Sequence, residues 1–258
     1  MPYLRFPVSP FWVLMLLTII LSGCQNTENS MLQGYAEGEF VYIASPLSGK
    51  LDVLDVQRGQ QVSIGDRLFR LDSASEKIVL DQNQAALAYS QGEFERQERL
   101  SKTGGVNTKA DLDRARSARD QDKQRVAKAE WDLSQKSQNA PKAGFIFDTL
   151  YREGEWVNAG APIVSLLPPE NIKVRAFIPE NRIGSLQLGD PVEIQVDGIG
   201  ERMNGKVSFI SPQAEYTPPV IYSRESRQKL LFMIEIALAP ESAVKLHPGQ
   251  PVDVRLPK

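Results

Sequence analysis

Two stretches of this chain repeat one another at a constant offset of 95 residues, and any fold must accommodate both copies. Pro46-Leu-Ser-Gly49 and Pro141-Lys-Ala-Gly144 open them; Gly59 then matches Gly154, Val62 matches Val157, Gly65 matches Gly160 and Leu71 matches Leu166 without a gap. Four of these six identities are Gly or Pro in one register, and Gly supplies the positive φ that tight turns require. The apolar stretches between them, Leu51 to Val56 and Ile146 to Tyr151, read as strands. Neither copy can bury a core alone, so the pair is expected to fold as one pseudo-symmetric β-module.

The material between the copies is of another kind. From Ser73 to Ala140 there is no proline, and glycine is confined to Gly92, Gly104 and Gly105. Ser73-Ala-Ser-Glu76 is a capping-box pattern that opens a helix on which Leu80, Leu87 and Phe94 recur every seven residues. Thr103-Gly-Gly-Val-Asn107 ends it. Thr108-Lys-Ala-Asp111 starts a second helix with Leu112, Val126 and Leu133 in one seven-residue register, beside Ala115 and Ala129. Two helices of roughly 30 residues, each about 45 Å long, joined by five residues, predict an antiparallel coiled-coil hairpin. Its seam of three large residues per helix covers one partner helix and little more, so the hairpin is expected to project rather than fold back. Glu95/Arg99 and Glu98/Lys102 are expected i,i+4 pairs on its exposed faces.

After Pro168-Pro169 the pattern turns to short alternating strands: Ile172 to Ile178, Val192 to Val196, Gly205 to Ile210, Leu230 to Leu238 and Val252 to Leu256. Five or six such strands predict a small antiparallel barrel. Tyr216-Thr-Pro-Pro-Val-Ile-Tyr222 interrupts it as a rigid loop, whose aromatics read as the loop's own packing ahead of a ligand cage.

The opening residues carry an address. Arg5, the apolar run Phe11 to Leu21 and Leu21-Ser-Gly-Cys24 have the layout of a secretory signal, and the run is about half a bilayer span. Leu-Ser-Gly-Cys resembles the bacterial lipobox, which implies cleavage before Cys24 and its acylation; two or three chains would anchor firmly. The formal charge of −2 offers no basic field for nucleic acid. An acylated Cys24, the only cysteine, leaves no thiol for disulfides, metal sites or catalysis. The one histidine, His247, sits in a Pro-Gly turn, and no GxSxG, no HExxH and no set of carboxylates picks out an active site, so no enzyme, cofactor or metal is expected. The expected organisation is a signal over 1–23, a linker over 24–40, the split module over 41–72 and 141–168, the hairpin over 73–140 and the barrel over 169–258.

This order resembles the HlyD-type membrane fusion proteins, or periplasmic adaptors. The resemblance implies that the repeat halves form a lipoyl/biotinyl-like domain and that the hairpin tip meets a TolC-like outer-membrane duct. It further implies that copies assemble into a ring, by family resemblance a hexamer. The family's tip pattern places Arg, Leu, Ser and then Leu-Asp-x-Ala. Here Arg96, Leu100 and Leu112-Asp-Arg-Ala115 match, while the serine place holds Asn107, with the Thr108 hydroxyl one residue later. Glu215-Tyr-Thr-Pro-Pro-Val-Ile-Tyr-Ser223 is similar to a segment of the branch that serves ABC-type exporters, which implies an ABC permease ahead of a proton-driven pump. The family role implies the inner membrane, whereas Gln25 is not the aspartate that retains lipoproteins there in enteric bacteria. No separate membrane-proximal domain is expected after the barrel, which fits a compact adaptor. A lipoyl carrier would show its modified Lys on the turn joining the repeats, where this chain has 68 residues of hairpin instead. The competing reading is an envelope lipoprotein that binds a ligand or another envelope protein without transport.

Overall fold

The computed structural model describes residues 31–104, 108–196, 199–215 and 230–256. The lipobox with Cys24, Asn107 at the bend and the loop Tyr216 to Tyr222 lie outside the described residues.

The two repeats form two four-stranded sheets of one module. Strands β2 (Val41–Ala44), β9 (Pro162–Leu167), β7 (Gly144–Thr149) and β4 (Gln61–Val62) make one sheet in that order. Strands β6 (Ser137–Asn139), β5 (Arg67–Leu71), β3 (Gly49–Leu54) and β8 (Trp156–Val157) make the other. Adding 95 to the numbers of the first repeat carries one sheet onto the other. The short strands are exchanged: β4 pairs with β7, and β8 with β3. The turns obey the same symmetry. Gly65 N–H donates to Ala140 O as Gly160 N–H does to Ser45 O (2.9 and 2.8 Å), and Gly59 donates to Ile146 O as Gly154 does to Leu51 O (2.9 and 2.8 Å). All four of these glycines have positive φ, between 76° and 93°. Both copies fill one core: Leu51, Val62, Leu68, Phe69 and Leu71 from one, Ile146, Val157, Ile163, Val164 and Leu166 from the other. This is the expected split lipoyl-like domain. The repeat also runs one strand further upstream than its sequence identities, because β2 and β6 are equivalent although Val41-Tyr-Ile-Ala44 and Lys136-Ser-Gln-Asn139 share no residue.

Helices α1 (Ala74–Lys102) and α2 (Lys109–Gln135) form the hairpin. One row of buried and half-buried positions on each helix alternates in threes and fours: Leu80, Asn83, Leu87, Ser90, Phe94 and Gln97 on α1, and Leu112, Ala115, Arg119, Asp122, Val126, Ala129 and Leu133 on α2. Apolar periodicity exposes only half of this heptad seam, because the alternate layer on α1 is Asn83, Ser90 and Gln97. Asn83 Nδ2 donates to Arg125 O (3.4 Å), and the Arg119 guanidinium lies 4.2 Å from the Phe94 ring centroid, so polar groups are used within the seam. Of the two expected surface pairs, Glu98–Lys102 forms at 3.3 Å, whereas Glu95 accepts from Gln91 Nε2 rather than meeting Arg99.

The helix starts differ from expectation at one end. Thr108 is a true capping box: its Oγ1 accepts from Asp111 N–H (3.2 Å), and Asp111 Oδ2 accepts from Thr108 N–H (3.1 Å). Ser73 makes no such bond, and Asp72 Oδ1 accepts from Ala74 N–H instead (3.0 Å). Glu76, the expected reciprocal partner, is drawn to the Lys136 ammonium at 3.0 Å, since a charge-assisted bond outcompetes one to a neutral N–H.

The remaining strands close a six-stranded barrel in the order β1 (Met31–Gly38), β10 (Ile172–Pro179), β13 (Leu231–Leu238), β12 (Ile199–Glu215), β11 (Pro191–Val196), β14 (Pro251–Arg255). Eight residues of the expected linker over 24–40, Met31–Gly38, are therefore a strand: β1 pairs antiparallel with β14 from Met31↔Arg255 to Tyr35↔Pro251. Its sequence hides this role, because Gly34 reads as a strand breaker. The glycine is needed there, since a Cβ would lie 2.4 Å from Arg175 O on β10. Nor is all of 169–258 barrel. Ala237–Gln250, with the short helix α3 (Pro240–Ala243), belongs to one compact unit with Ala36–Val174, where Gly249 N–H donates to Ala36 O at 2.8 Å. His247 is exposed in that turn.

Candidate functional site: the hairpin tip

The bend is built by local chemistry. Thr103 caps α1, donating its N–H to Arg99 O (3.0 Å) and its Oγ1 to the same carbonyl (3.0 Å), and Gly104 follows with φ +73°. Beyond the bend, Thr108 and Asp111 lock the first turn of α2. The Thr108 hydroxyl, then its backbone N–H, hold the Asp111 carboxyl below its usual range, with Arg114 Nη1 at 3.0 Å adding to the effect. The tip entry to α2 is thereby preorganised.

Leu100, Thr108 and Leu112 all lie within a turn or so of this bend, and Arg96 lies one turn below Leu100. Leu112 is half-buried at the end of the seam, whereas Leu100 stands beside the seam and is 38% exposed. Arg96 points away from the seam, with 62% of its side chain exposed, and is ion-paired with Glu93. That partner was legible as an acidic residue three positions earlier on the same helix. Thr108 is exposed, but its hydroxyl is already engaged with Asp111 on both sides, as acceptor from N–H and as donor to Oδ2 (2.7 Å). The tip thus presents an apolar side chain, a guanidinium and a capped turn.

Lower on the hairpin a shallow open groove of about 320 Å³ is lined by Val79, Asn83, Lys128, Ala129 and Asp132 among others. Among the described residues, no group of three or more His, Cys, Asp or Glu gathers to hold a metal ion, and no helix is long and apolar enough to cross a membrane.

The split lipoyl-like module, the coiled-coil hairpin and the six-stranded barrel together make up the described architecture. Solved structures share it. A MacA–MexA chimeric protein containing the Pseudomonas aeruginosa MexA α-hairpin domain superposes with a TM-score of 0.72 at 23% identity, over 88% of this chain and 80% of that one. The membrane fusion protein Spr0693 of Streptococcus pneumoniae R6 gives 0.68 at 20% identity, over 88% and 98%. In sequence, the chain is 31% identical to a UPF0194 membrane protein of Acidithiobacillus ferridurans over 70% of its own length and 54% of that protein's, so it spans little more than half of this relative. It is 26% identical to the UPF0194 membrane protein YbhG of Salmonella arizonae over 93% of its length and 94% of the relative's. No family model matches the chain. The chain thus shares its fold with solved membrane fusion proteins and is similar in sequence to UPF0194 membrane proteins.

Proposed function

We propose that this chain is the lipid-anchored periplasmic adaptor of a tripartite export system, joining an inner-membrane transporter to a TolC-like outer-membrane duct. The observation that carries this reading is the tip: a leucine more than a third exposed beside a solvent-facing Arg96 side chain paired along its own helix with Glu93, on a bend locked by Thr108 and Asp111. A leucine there gains only when another protein covers it, and the guanidinium offers several donors to backbone carbonyls of that partner. Asn107 or Thr108 takes the place of the family's tip serine. With its hydroxyl committed to Asp111, Thr108 contributes its cap and its exposed surface rather than a free donor.

Three finer elements belong to the same proposal. Cys24 carries the lipid, and the adaptor role favours the inner membrane. The segment Glu215 to Ser223 favours an ABC permease as the transporter, and copies of the chain form a ring, by family resemblance a hexamer. The chain acts by assembly and not by catalysis. Isolation of the intact lipoprotein in mild detergent, with its partners identified by mass spectrometry, tests the whole reading. A permease and an outer-membrane duct recovered together support it. Recovery of the chain with neither favours an envelope lipoprotein without a transport role.

A further inference from the structure

The most buried cation among the described residues lies where the hairpin leaves the module. Only 5% of the Lys136 side chain is exposed. Its ammonium donates to Ser48 O (2.8 Å) and pairs with Glu76 Oε1 (3.0 Å), while Glu76 Oε2 accepts from Ser75 Oγ (2.9 Å). These groups come from three separate pieces of chain: the opening turn of the first repeat, the first turn of α1 and the C-cap of α2. Backbone bonds surround them. Leu71 N–H donates to Lys136 O (2.7 Å), and Ser45 Oγ donates to Gln135 O (2.9 Å).

The internal symmetry tells what the lysine is for. Lys136 is the repeat equivalent of Val41. Val41 pairs with Leu166 as Lys136 meets Leu71, the equivalent of Leu166. The module therefore accepts an apolar residue at this place in the half that carries no hairpin. The charged residue appears only in the half from which two helices depart. Gly49 fits the same account, because a Cβ there would lie 3.1 Å from the Lys136 ammonium and 3.4 Å from Leu71 Cβ. The burial of Lys136 needs its partners, since an ammonium left unpaired in such a site is strongly disfavoured.

We propose that Lys136 is a positioning residue that latches the helical hairpin in one direction on the lipoyl-like module, by tying Glu76 of α1 and its own α2 terminus to Ser48. Without the latch, α1 and α2 remain paired with each other but pivot at their base. The inference concerns the hairpin's direction and holds independently of what its tip docks on.

The test uses the full-length lipoprotein in detergent, with nitroxide amino acids incorporated at the exposed positions Lys50 on the module and Glu95 on α1. About 32 Å of helix separates Glu95 from the junction, at 1.5 Å per residue, so a pivot is amplified into a distance change. Dipolar spectroscopy should give one narrow distance distribution for the parent and a distribution at least twofold wider for Lys136→Met and for Glu76→Gln, with helical circular dichroism retained. Glu76→Gln keeps the shape of the side chain and decides the matter where Lys136→Met fails to fold. A native width in the glutamine variant overturns the latch, as does widening that appears only together with loss of helical signal.

Discussion

Replacing the whole hairpin, Ala74 to Gln135, by a short Gly/Ser turn should leave a folded β-module, more stable when Lys136 is changed with it. Strand β6 begins at Ser137 and pairs with β5 through Arg70↔Ser137 and Arg67↔Asn139, so the excision stops short of it. Shortening the connection from 62 residues to about six lowers the loop-closure cost by roughly 2 kcal/mol. Against this, losing Glu76 strands the Lys136 ammonium with Ser48 O alone, in a site where breaking a buried pair costs about 3–5 kcal/mol. The chain with Lys136 kept should therefore lose about 1–3 kcal/mol, whereas Lys136→Val, copying Val41, removes the penalty. Both products share the shorter loop, so at a urea slope of about 1 kcal/mol/M they should differ by about 3–5 M in midpoint. Trp156 in β8 reports on the module, because Trp131 leaves with the hairpin. Equal midpoints would refute the buried-pair argument, and an unfolded Lys136→Val product would show that the two repeats do not make one domain by themselves.

Cys24→Ala should abolish incorporation of labelled palmitate while the module, hairpin and barrel still fold; label in that variant refutes lipidation at Cys24. Gly34→Ala pushes a Cβ to within 2.4 Å of a backbone oxygen of β10, so overpacking should cost about 1–3 kcal/mol and lower the barrel's Tm by on the order of 5–15 °C in a thermal melt; an unchanged Tm contradicts the close approach. The Glu76 carboxyl is held below its usual range, its burial being outweighed by the bonds from Lys136 and Ser75. A folded-state pKa below the unfolded one contributes stability that is present above the unfolded pKa and lost as pH falls through the folded one. Urea midpoints should thus be level above about pH 5 and fall below about pH 4, and Glu76→Gln should remove part of that fall; an identical acid limb in both proteins excludes the contribution.

Large side chains and special turns were the legible parts of this fold. Leu80, Leu87 and Phe94 revealed the hairpin, and the paired glycines revealed the module, because each of those residues has few physical uses. The polar half of the seam was hidden, since Asn83, Ser90 and Gln97 read as exposed helix, yet they occupy the alternate heptad layer. Strands β4 and β8 are two residues long, too short for a period, so their exchange between sheets left no pattern to read. Strand β1 was hidden by Gly34, and β6 by its polar Ser-Gln-Asn, whose partner strand alone defines it. Ser73 failed as a cap because Glu76 had a buried cation to meet, a tertiary contact that no four-residue pattern contains. At the tip the positions of Arg96, Leu100, Thr108 and Leu112 followed from the helix lengths and the Gly bend. The commitment of the Thr108 hydroxyl to Asp111 was implicit in the capping pattern and becomes a constraint on docking only once the geometry is known.

The central claim is that the tip is covered by an outer-membrane partner, and a photo-reactive amino acid at Leu100 in the full-length protein tests it inside cells. Illumination should yield one dominant adduct, identified by mass spectrometry as an outer-membrane duct. That adduct should vanish with Arg96→Asp, while the Tm and the permease association stay nearly unchanged. The same probe at Tyr89, exposed on the middle of α1, should not give it. Adducts from Leu100 only to the inner-membrane transporter, or to no envelope protein at all, would contradict the account.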